Sequence, residues 1–489
     1  MAEVGARSGL RIGVALGHAL GNAIDRGVAS HHARRLRKAG WSTALETAGG
    51  NWAQGGNPPR EGNRVEVLID GAAFLPRVAE ELAGARSHVH VTGWYFSPEL
   101  ALTRGDEPVS VRNLLAELAE RIDVRVLVWS GAPIPVFRPS RGDVRSMVER
   151  LCRGTEVTCA LDSCVRHMHC HHEKTIVVDD RVAFVGGIDL TTDGGDPYDS
   201  QLHSARGGVG WHDIAVRLEG PAVADVAEHF RLRWHGATDE ELPPTVTQAP
   251  VGDVDVQIVR TVPENVYERR LPRGEFTVLE SYVGAFRSAE RFVYIENQFL
   301  WSPEVVEVLA EKLRNPPRDE FRIVVLLPVN ANDGADVSRG QVAALIHADD
   351  GNARFLACSV YARAGKLRDP IYVHAKVAVV DDRWLTIGSA NLNEHSLFND
   401  SEMNVVTRDA ELARDTRIRL WSEHLERPAE DLQGDPVEIV DRYWEPISEE
   451  QLDRLRDGLP LTHRLVKLPG VSVRRRRFLG SLQGRIYDA

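Results

Sequence analysis

A pattern of five residue types occurs twice along the chain, with the same spacing in both copies. Counting from a histidine, a lysine follows at +2, an aspartate at +7, two small residues at +14 and +15, and an aspartate or asparagine at +17. The first copy consists of His172, Lys174, Asp179, Gly186, Gly187 and Asp189, and the second of His374, Lys376, Asp381, Gly388, Ser389 and Asn391. A repeat with five shared offsets predicts a fold built from two similar units.

Each copy of the pattern predicts a buried strand followed by a hairpin. A histidine and a lysine two residues apart on a strand project from the same face. Four mostly apolar residues follow, as in a strand buried on both faces. Asp-Asp-Arg then makes a turn in both copies, and the next apolar run returns as a neighbouring strand. Two copies across a pseudo-two-fold axis supply two lysines, which suit a phosphate, and two histidines, which suit a nucleophile and an acid.

The repeat resembles the signature of the phospholipase D superfamily, His-x-Lys-x4-Asp in duplicate. Residues 93–96 and 294–299 resemble the inner strands that open each half, and residues 184–190 and 211–213 resemble the phospholipase D branch itself, next to the cardiolipin synthases. The resemblance implies a catalytic set made of His172, Lys174, His374, Lys376, Asn391, Asp213 and Glu402. It implies a substrate-binding set made of Gly187, Ser389, His171, Trp94 and Gln298. Asp179, Asp381 and Asp189 are expected to be structural.

In the resembled family, an acid in each half hydrogen-bonds the far ring nitrogen of its histidine. Asp213 follows His172 by 41 residues and Glu402 follows His374 by 28 residues. We therefore expect Asp213 to pair with His172, and Glu402 with His374. The alternative is that both are ordinary surface acids.

The resemblance also implies a mechanism. Lys174 and Lys376, aided by Asn391, would stabilise negative charge on a phosphodiester. His172 would attack phosphorus and form a phosphohistidine, and His374 would protonate the departing alcohol; the reverse assignment stays open. The lysines supply the charge that a metal supplies elsewhere, so no metal and no other cofactor is expected.

Strand and helix patterns alternate in both halves, which predicts an α/β fold. We expect two halves related by a pseudo-two-fold axis, each a mostly parallel sheet flanked by helices, with the active site at their interface. The predicted organisation is an N-terminal helix and linker (1–63), a first half (64–236), a linker (237–252), a second half (253–425) and a C-terminal tail (426–489). Among the elements, the sequence predicts a strand at 65–69, a turn at Asp70-Gly71 and a helix over 74–85.

Two segments near the first copy leave alternatives open. The apolar loop 133–139 either lines a lipid pocket or packs as a plain loop. The approach to the first copy is rich in zinc-binding residue types, Cys164, His167, His169, Cys170, His171 and His172. Their spacing does not give two pairs of ligands, so pocket lining is favoured over a zinc site.

Composition and the chain ends limit the partners. The net charge is −12, so no overall positive charge holds nucleic acid, which is not expected as a partner. Five cysteines without a recognisable secretory segment favour a reducing compartment, and we expect a cytoplasmic monomer that can be peripheral on the membrane. The N-terminal segment predicts a helix that lies either on a membrane or on the protein body. The basic run 474–477 either binds anionic lipid or is solvated.

Three functions compete for this chain. The first is a phospholipase D that cleaves the head-group phosphodiester of glycerophospholipids, with water or an alcohol as acceptor. The second is a cardiolipin-synthase-like transferase, against which stands the absence of N-terminal membrane spans. The third is a phosphodiesterase acting on nucleic acid, which the acidic balance and the long duplicated chain disfavour. A non-catalytic lipid-binding relative is least favoured, because both copies of the pattern are intact.

Overall fold

Two similar mixed sheets form the centre of the protein. The computed structural model describes residues 26–49, 52–134, 138–166, 169–192, 195–204, 210–267, 269–330, 335–364 and 367–470. In spatial order, the first sheet contains β1 (Arg60–Ile69), β8 (Ile214–Glu219), β6 (Val182–Gly186), β5 (Lys174–Val178), β2 (His88–Gly93), β3 (Asp123–Trp129) and β4 (Thr158–Asp162). The second contains β9 (Val254–Val262), β17 (Glu402–Thr407), β16 (Trp384–Gly388), β15 (Val377–Val380), β11 (Phe292–Glu296), β12 (Arg322–Leu326) and β13 (Phe355–Ala364). Each strand of one sheet has a counterpart in the other, which confirms the predicted repeat.

The strand directions correct one prediction. The pairs β2–β3 and β3–β4 are parallel, as are β11–β12 and β12–β13. The other four pairings in each sheet are antiparallel. The α/β class is confirmed, but the expectation of mostly parallel sheets is wrong. The turn between β5 and β6 is too short for the crossover that a parallel pair requires.

Helices cover the outer faces, and the inner faces of the two sheets pack together. The first half contributes α3 (Asp70–Ala83), α4 (Val111–Ala119), α5 (Arg141–Cys152) and α6 (Val223–Thr238), and the second α7 (Thr277–Ser288), α8 (Pro303–Arg314), α9 (Ala335–Asp349), α10 (Glu394–Phe398) and α11 (Ala410–Leu425). Val177 faces a core that both sheets share, whereas Ile176 and Val178 face the helices of the first half. The motif strands are therefore buried on both faces, as their composition predicted.

The N-terminal helix lies on the second half. It runs over residues 26–39 (α1) and is followed by α2 (Thr43–Glu46). Leu36 is fully buried, and His32 stacks on Phe398 and lies 2.7 Å from Glu304 Oε1 through Nδ1. For this stretch, the prediction of a helix packed on the protein body is confirmed. Residues 1–25 and the basic run 474–477 lie outside the described residues.

Part of the predicted tail belongs to the fold. After a 3-10 turn at Ala429–Leu432 come α12 (Pro436–Ile439), a π-helical turn at Val440–Trp444 and α13 (Glu445–Arg456). The strand β18 (Leu465–Lys467) then pairs with β13. Three further strands are β7 (Gly210–His212), β10 (Glu275–Phe276) and β14 (Leu367–Val373). Residues 239–253 contain no helix or strand, as a linker would, and the domain boundaries stay a prediction.

The structure differs from the sequence expectations at the start of α3 and in the pairing of two cysteines. The predicted turn at Asp70-Gly71 is absent, because α3 begins at Asp70 directly after β1. Cys152 and Cys159 are paired as a disulfide, which the odd cysteine count did not predict. Ser302 caps α8, accepting a hydrogen bond from Val305 N. Among the described helices, none is long and apolar enough to span a membrane.

The aspartate at +7 closes each hairpin. Asp179 and Asp381 have φ values of 57° and 54°, and the residue after each is also at positive φ, as in a type I′ turn. The Asp179 carboxylate accepts hydrogen bonds from the backbone N–H groups of residues 86–88. Asp381 does the same with residues 290–292, at 2.7 to 2.8 Å. These contacts fit the expected structural role, because each aspartate holds its hairpin to the start of an inner strand.

The turn carboxylate gives a stability prediction. We expect Asp381→Ala to lower the free energy of unfolding by about 2 to 3 kcal/mol, because three N–H groups lose a charged acceptor and alanine is disfavoured at positive φ. Asp381→Asn retains an oxygen and tolerates positive φ, so a loss of about 1 kcal/mol is expected. Urea denaturation followed by circular dichroism measures both. The exposed Asp453→Ala is the control and should change stability by less than about 0.5 kcal/mol; equal effects of all three variants would contradict this role.

Candidate functional site

The two histidine–lysine pairs meet where the halves contact each other. His172 and Glu173 donate their backbone N–H groups to the carbonyl of Ser401, at 3.0 and 3.1 Å. In the same way, the N–H groups of His374 and Ala375 donate to the carbonyl of His212, at 2.8 and 3.1 Å. Each histidine is therefore held by the segment that carries the acid of the other half.

The acids consequently pair across the interface. His172 Nδ1 lies 2.8 Å from Glu402 Oε1, and His374 Nδ1 lies 2.6 Å from Asp213 Oδ2. Both acids contact a histidine, but the expectation that each acid pairs within its own half is wrong. Sequence distance suggested the opposite pairing. Because each acid follows a residue that is bound to the other half's histidine segment, its carboxylate points across the interface.

The lysines lie beneath the histidines. Lys174 Nζ donates to His172 O at 2.6 Å and lies 3.0 Å from Asp189 Oδ2. Lys376 Nζ donates to His374 O and, at 3.2 Å, to Gln298 Oε1. The amide of Asn391 also donates to Gln298 Oε1, at 3.3 Å. The residue at +17 thus lies near the lysine in both halves, directly for Asp189 and through Gln298 for Asn391.

The histidine side chains are the most exposed of this set. The His172 and His374 side chains are 14% and 12% exposed, whereas those of Glu402 and Asp213 are 0% and 8% exposed. Lys174 and Lys376 are 5% and 0% exposed. A ligand that reaches this site would therefore meet the imidazole rings first, with the ammonium charges held close behind them.

Burial shifts the pKa values of several groups at the site. Burial lowers the pKa of Lys376 to about 7 and raises the pKa of Glu402 to about 8. It also raises the pKa of Asp213 to about 6. The pKa of His374 is well below its usual value because of burial and of repulsion from Lys376 and Lys174. Near neutral pH, Lys376 and His374 therefore carry less positive charge than exposed side chains of the same type would. A bound anion would restore that charge.

Three residues expected to bind substrate are placed behind the reactive groups instead. Ser389 Oγ donates to Glu402 Oε2. A Cβ on Gly187 would lie 2.2 Å from Asp213 Oδ1, so this glycine makes room for that carboxylate. His171 is buried, with Nδ1 2.6 Å from Ser401 Oγ and Nε2 3.0 Å from Asp162 Oδ1. Their placement corrects the expectation, because each of these residues supports an acid or a histidine segment.

The other two expected substrate-binding residues differ in their surroundings. Gln298 holds Lys376 and Asn391 through its oxygen, and its Nε2 donates to the hydroxyl of Tyr372 at 2.8 Å. Trp94 is half-buried and stacks on Trp129 with ring centroids 6.2 Å apart. Gln298 thus contacts the core of the site, whereas the tryptophan lies at its edge.

Several residues that complete the site were not expected from the sequence. Ser396 Oγ donates to Glu402 Oε1. The Trp211 ring contacts the His374 ring edge-on, with centroids 5.1 Å apart. Below His172, Glu173 accepts hydrogen bonds from His229 Nε2 and Arg233 Nη1, and all three side chains are buried. Glu173 stands inside the first motif, where its counterpart is Ala375, and this difference between the copies was a signal in the sequence.

The cysteine- and histidine-rich approach does not form one zinc site among the described residues. Cys164 Sγ donates to Gly236 O, and Cys170 N donates to Asp400 Oδ1. His169 Nδ1 lies 3.3 Å from Asp400 Oδ1. His167 and residues 135–137 of the apolar loop lie outside the described residues.

The arrangement suits transfer of an anionic group. When Glu402 and Asp213 are ionised, Nδ1 of each histidine carries a proton, which leaves Nε2 as the reactive atom. Two ammonium groups lie beneath, where they can stabilise negative charge. The site therefore contains the kinds of groups that nucleophilic attack, proton donation and binding of an anion require.

The cross-interface pairing can be tested in solution. In Asp213→Asn, we expect the strongly deshielded Nδ1–H resonance of His374 to be lost while that of His172 is retained, because the strongest acceptor of His374 is removed. Glu402→Gln should have the converse effect. NMR of protein with nitrogen-15-labelled histidine measures both, with His374→Ala and His172→Ala to assign the signals. If Asp213→Asn changes only the signal of His172, the pairing is within halves.

Comparisons with known proteins support the resemblance that the sequence suggested. Residues 282–422 match the family model described as "Cardiolipin synthase, PLD-like domain". The chain is 26% identical to phospholipase D A of Dictyostelium discoideum, over 75% of this chain and 36% of that protein. It is 27% identical to phospholipase D alpha 4 of Arabidopsis thaliana, over 79% of this chain and 70% of that protein.

The likeness extends to a solved structure, which supports the fold alone. The crystal structure of phosphatidylserine synthase from Haemophilus influenzae Rd KW20 is similar with a TM-score of 0.53 and 13% identity, covering 81% of this chain and 93% of that one. The chain spans 36% of the length of the Dictyostelium relative and 50% of phospholipase D2 of Bos taurus. The family model over residues 282–422 and the curated relatives support the resemblance of this chain to the phospholipase D superfamily.

Proposed function

We propose that this protein is a phospholipase D-type phosphodiesterase and phosphatidyltransferase that acts on glycerophospholipids. The observation that carries the proposal is the pair of imidazoles, each 12% to 14% exposed and paired with a carboxyl group, next to two buried lysines. A phosphodiester has one negative charge and gains more on its equatorial oxygens during transfer, which two fixed ammonium groups stabilise. The phospholipase D relatives make a phospholipid the first candidate substrate.

The chemistry proceeds in two transfers at phosphorus. His172 Nε2 attacks phosphorus and forms a P–N bond while the bond to the head-group oxygen breaks, and His374 Nε2–H protonates that oxygen. His374 then takes a proton from water or an alcohol, whose oxygen attacks phosphorus and displaces His172. Water gives phosphatidic acid, and an alcohol gives an exchanged head group. Lys174, Lys376 and Asn391 stabilise the phosphoryl oxygens in both steps.

The roles of the two histidines depend on the substrate's charge. Burial and the two lysines hold the pKa of His374 low in the free protein. A bound phosphodiester anion offsets the charge of the lysines and raises the pKa of His374, which favours its protonation and its use as the acid. His374 is therefore protonated, and able to act as the acid, when the anionic substrate is bound. The assignment of His172 as nucleophile rests on this and on the analogy with the superfamily.

A second candidate is transfer to a lipid alcohol. The matched family model carries the description of a cardiolipin synthase domain, and a phosphohistidine accepts any alcohol that reaches it. This candidate shares every residue of the mechanism and differs in the acceptor. Nucleic acid is the weaker alternative, because the chain carries a net charge of −12.

A basic groove supports contact with an anionic membrane surface. A cavity of about 660 Å³ lies between α1 and the segments around Arg166 and Arg273, and His31, Arg34, Arg35 and Lys38 also line it. Arg35 and Arg166 share one acid, Glu264, so the groove has more cations than acids along its lining. We propose that the protein associates peripherally with lipid through this groove, as a monomer.

The proposed activity is tested with phosphatidylcholine vesicles and ethanol, without added metal. We expect phosphatidic acid and phosphatidylethanol, both reduced at least about a thousandfold in His172→Ala and His374→Ala, because each variant lacks one reactive group. His347→Ala, which removes an exposed histidine on α9, is the matched control and should retain activity. Products are measured by mass spectrometry. Absence of lipid products together with cleavage of single-stranded DNA would replace this proposal with the nuclease.

The pKa shifts predict a narrow pH optimum. We expect kcat/KM to fall above about pH 7, because Lys376 loses its proton and with it the charge that binds phosphate. It should also fall as the pH drops through about 8 and then about 6, where Glu402 and Asp213 in turn become protonated and no longer accept the Nδ1–H of His172 and His374. The falling limb of kcat should lie at higher pH, since bound substrate stabilises the charged lysine. A kcat/KM that stays constant from pH 7 to pH 9 would contradict this role of Lys376.

A further inference from the structure

Four buried side chains from both halves converge beside the site described above. Asp70 begins α3, His212 ends β7, His203 lies in the segment before β7, and Glu423 lies on α11. His203 Nε2 and His212 Nδ1 lie 2.7 and 3.0 Å from Glu423 Oε1. His212 Nδ1 lies 3.1 Å from Asp70 Oδ1, and His203 Nε2 lies 3.6 Å from Asp70 Oδ2. These side chains are at most 1% exposed.

In the described part of the chain, two carboxylate oxygens of this cluster have no hydrogen-bond donor, and one histidine nitrogen is shared between two acids. His212 Nδ1 carries at most one proton but faces two carboxylate oxygens. Glu423 Oε1 faces both histidines, while Glu423 Oε2 and Asp70 Oδ2 have no hydrogen-bond partner among the described residues. Buried carboxylate oxygens without donors are costly. A cation placed between the four side chains would use one lone pair from each.

The outer nitrogens of both histidines also face carboxylates. His212 Nε2 lies 2.7 Å from Glu296 Oε2, and Glu296 is itself held by His424 and Tyr294. His203 Nδ1 lies 3.3 Å from Asp199 Oδ2. A carboxylate on the far nitrogen of a histidine is the usual support of a metal ligand, because it fixes the tautomer that leaves the near nitrogen free.

We propose that Asp70, His203, His212 and Glu423 bind a structural zinc ion. A tetrahedral zinc site with bonds of about 2.0 to 2.2 Å places its ligand atoms about 3.3 to 3.6 Å apart. Three of the distances above, 2.7, 3.0 and 3.1 Å, are shorter than this spacing and the fourth, 3.6 Å to the other oxygen of Asp70, matches it, so the side chains would move apart slightly to take the ion. Two imidazoles and two carboxylates suit zinc in both charge and ligand type.

The ion would bind residues of both halves, and so link them, next to His374. Asp70, His203 and His212 belong to the first half of the chain, and Glu423 belongs to the second. The carbonyl of His212 accepts the N–H of His374, and the neighbouring Asp213 contacts His374 Nδ1. Zinc is thus a structural element beneath one histidine of the site and takes no part in the proposed transfer. The inference does not depend on the proposed activity.

The test measures the zinc content of tag-free, full-length protein by mass spectrometry. Another group of possible ligands, His169, His395 and Asp400, provides the control, because His169→Gln should leave the proposed site intact. We expect about one zinc per chain in the wild type and in His169→Gln, and little or none in Asp70→Asn and His203→Gln. Chelation of the wild type should lower the melting temperature by at least about 5 °C, reversed by added zinc.

X-ray absorption keeps the test decisive if the two variants do not fold. The wild-type spectrum should show about four nitrogen and oxygen neighbours at about 2.0 Å, with imidazole scattering and no sulfur. Wild-type protein that holds no zinc after incubation and desalting would overturn the proposal. Zinc that remains in Asp70→Asn and His203→Gln, or zinc bound by sulfur, would overturn it as well.

Discussion

The site depends on one constraint: the carboxyl group that contacts each histidine comes from the other half of the chain. Glu402 belongs to the second half and orients His172 of the first half. Asp213 belongs to the first half and orients His374 of the second half. The backbone contacts of Ser401 and His212 fix the same pairing between the halves one residue earlier in the chain. A displacement of one half against the other would therefore disturb both histidines together. The extensive core that the two sheets share opposes such displacement.

Burial of the lysines explains the electrostatics of the site. An ammonium group without water is costly, and the depressed pKa of Lys376 expresses that cost. Asp189 offsets it for Lys174, whereas Lys376 has the neutral Gln298 instead. The positive field is thus weaker in the free protein than after an anion binds, so binding and activation of the site are coupled.

The sequence predicted what depends on residue type and spacing, and missed what depends on the relative placement of the halves. The duplicated motif identified the paired histidines and lysines, and the strands around them followed from their apolar runs. The partners of Asp213 and Glu402 were exchanged, because no local pattern shows which strand of one half reaches the other. His171, Gly187 and Ser389 were expected at the substrate, since spacing brings a residue near the site without showing which way it faces. The convergence of Asp70, His203, His212 and Glu423 joins three distant segments and has no local signature.

The buried Glu173 makes the two copies of the motif chemically unequal. It lies between His172 and Lys174 and accepts hydrogen bonds from His229 and Arg233, whereas the second copy has Ala375 at the same place. A protein assembled from two identical chains would carry the same residue in both positions. Joining the copies in one polypeptide removes this restriction, so each imidazole can acquire surroundings of its own. Single substitutions near one histidine can therefore give the two histidines different chemical roles, while the fold that the two halves share stays unchanged.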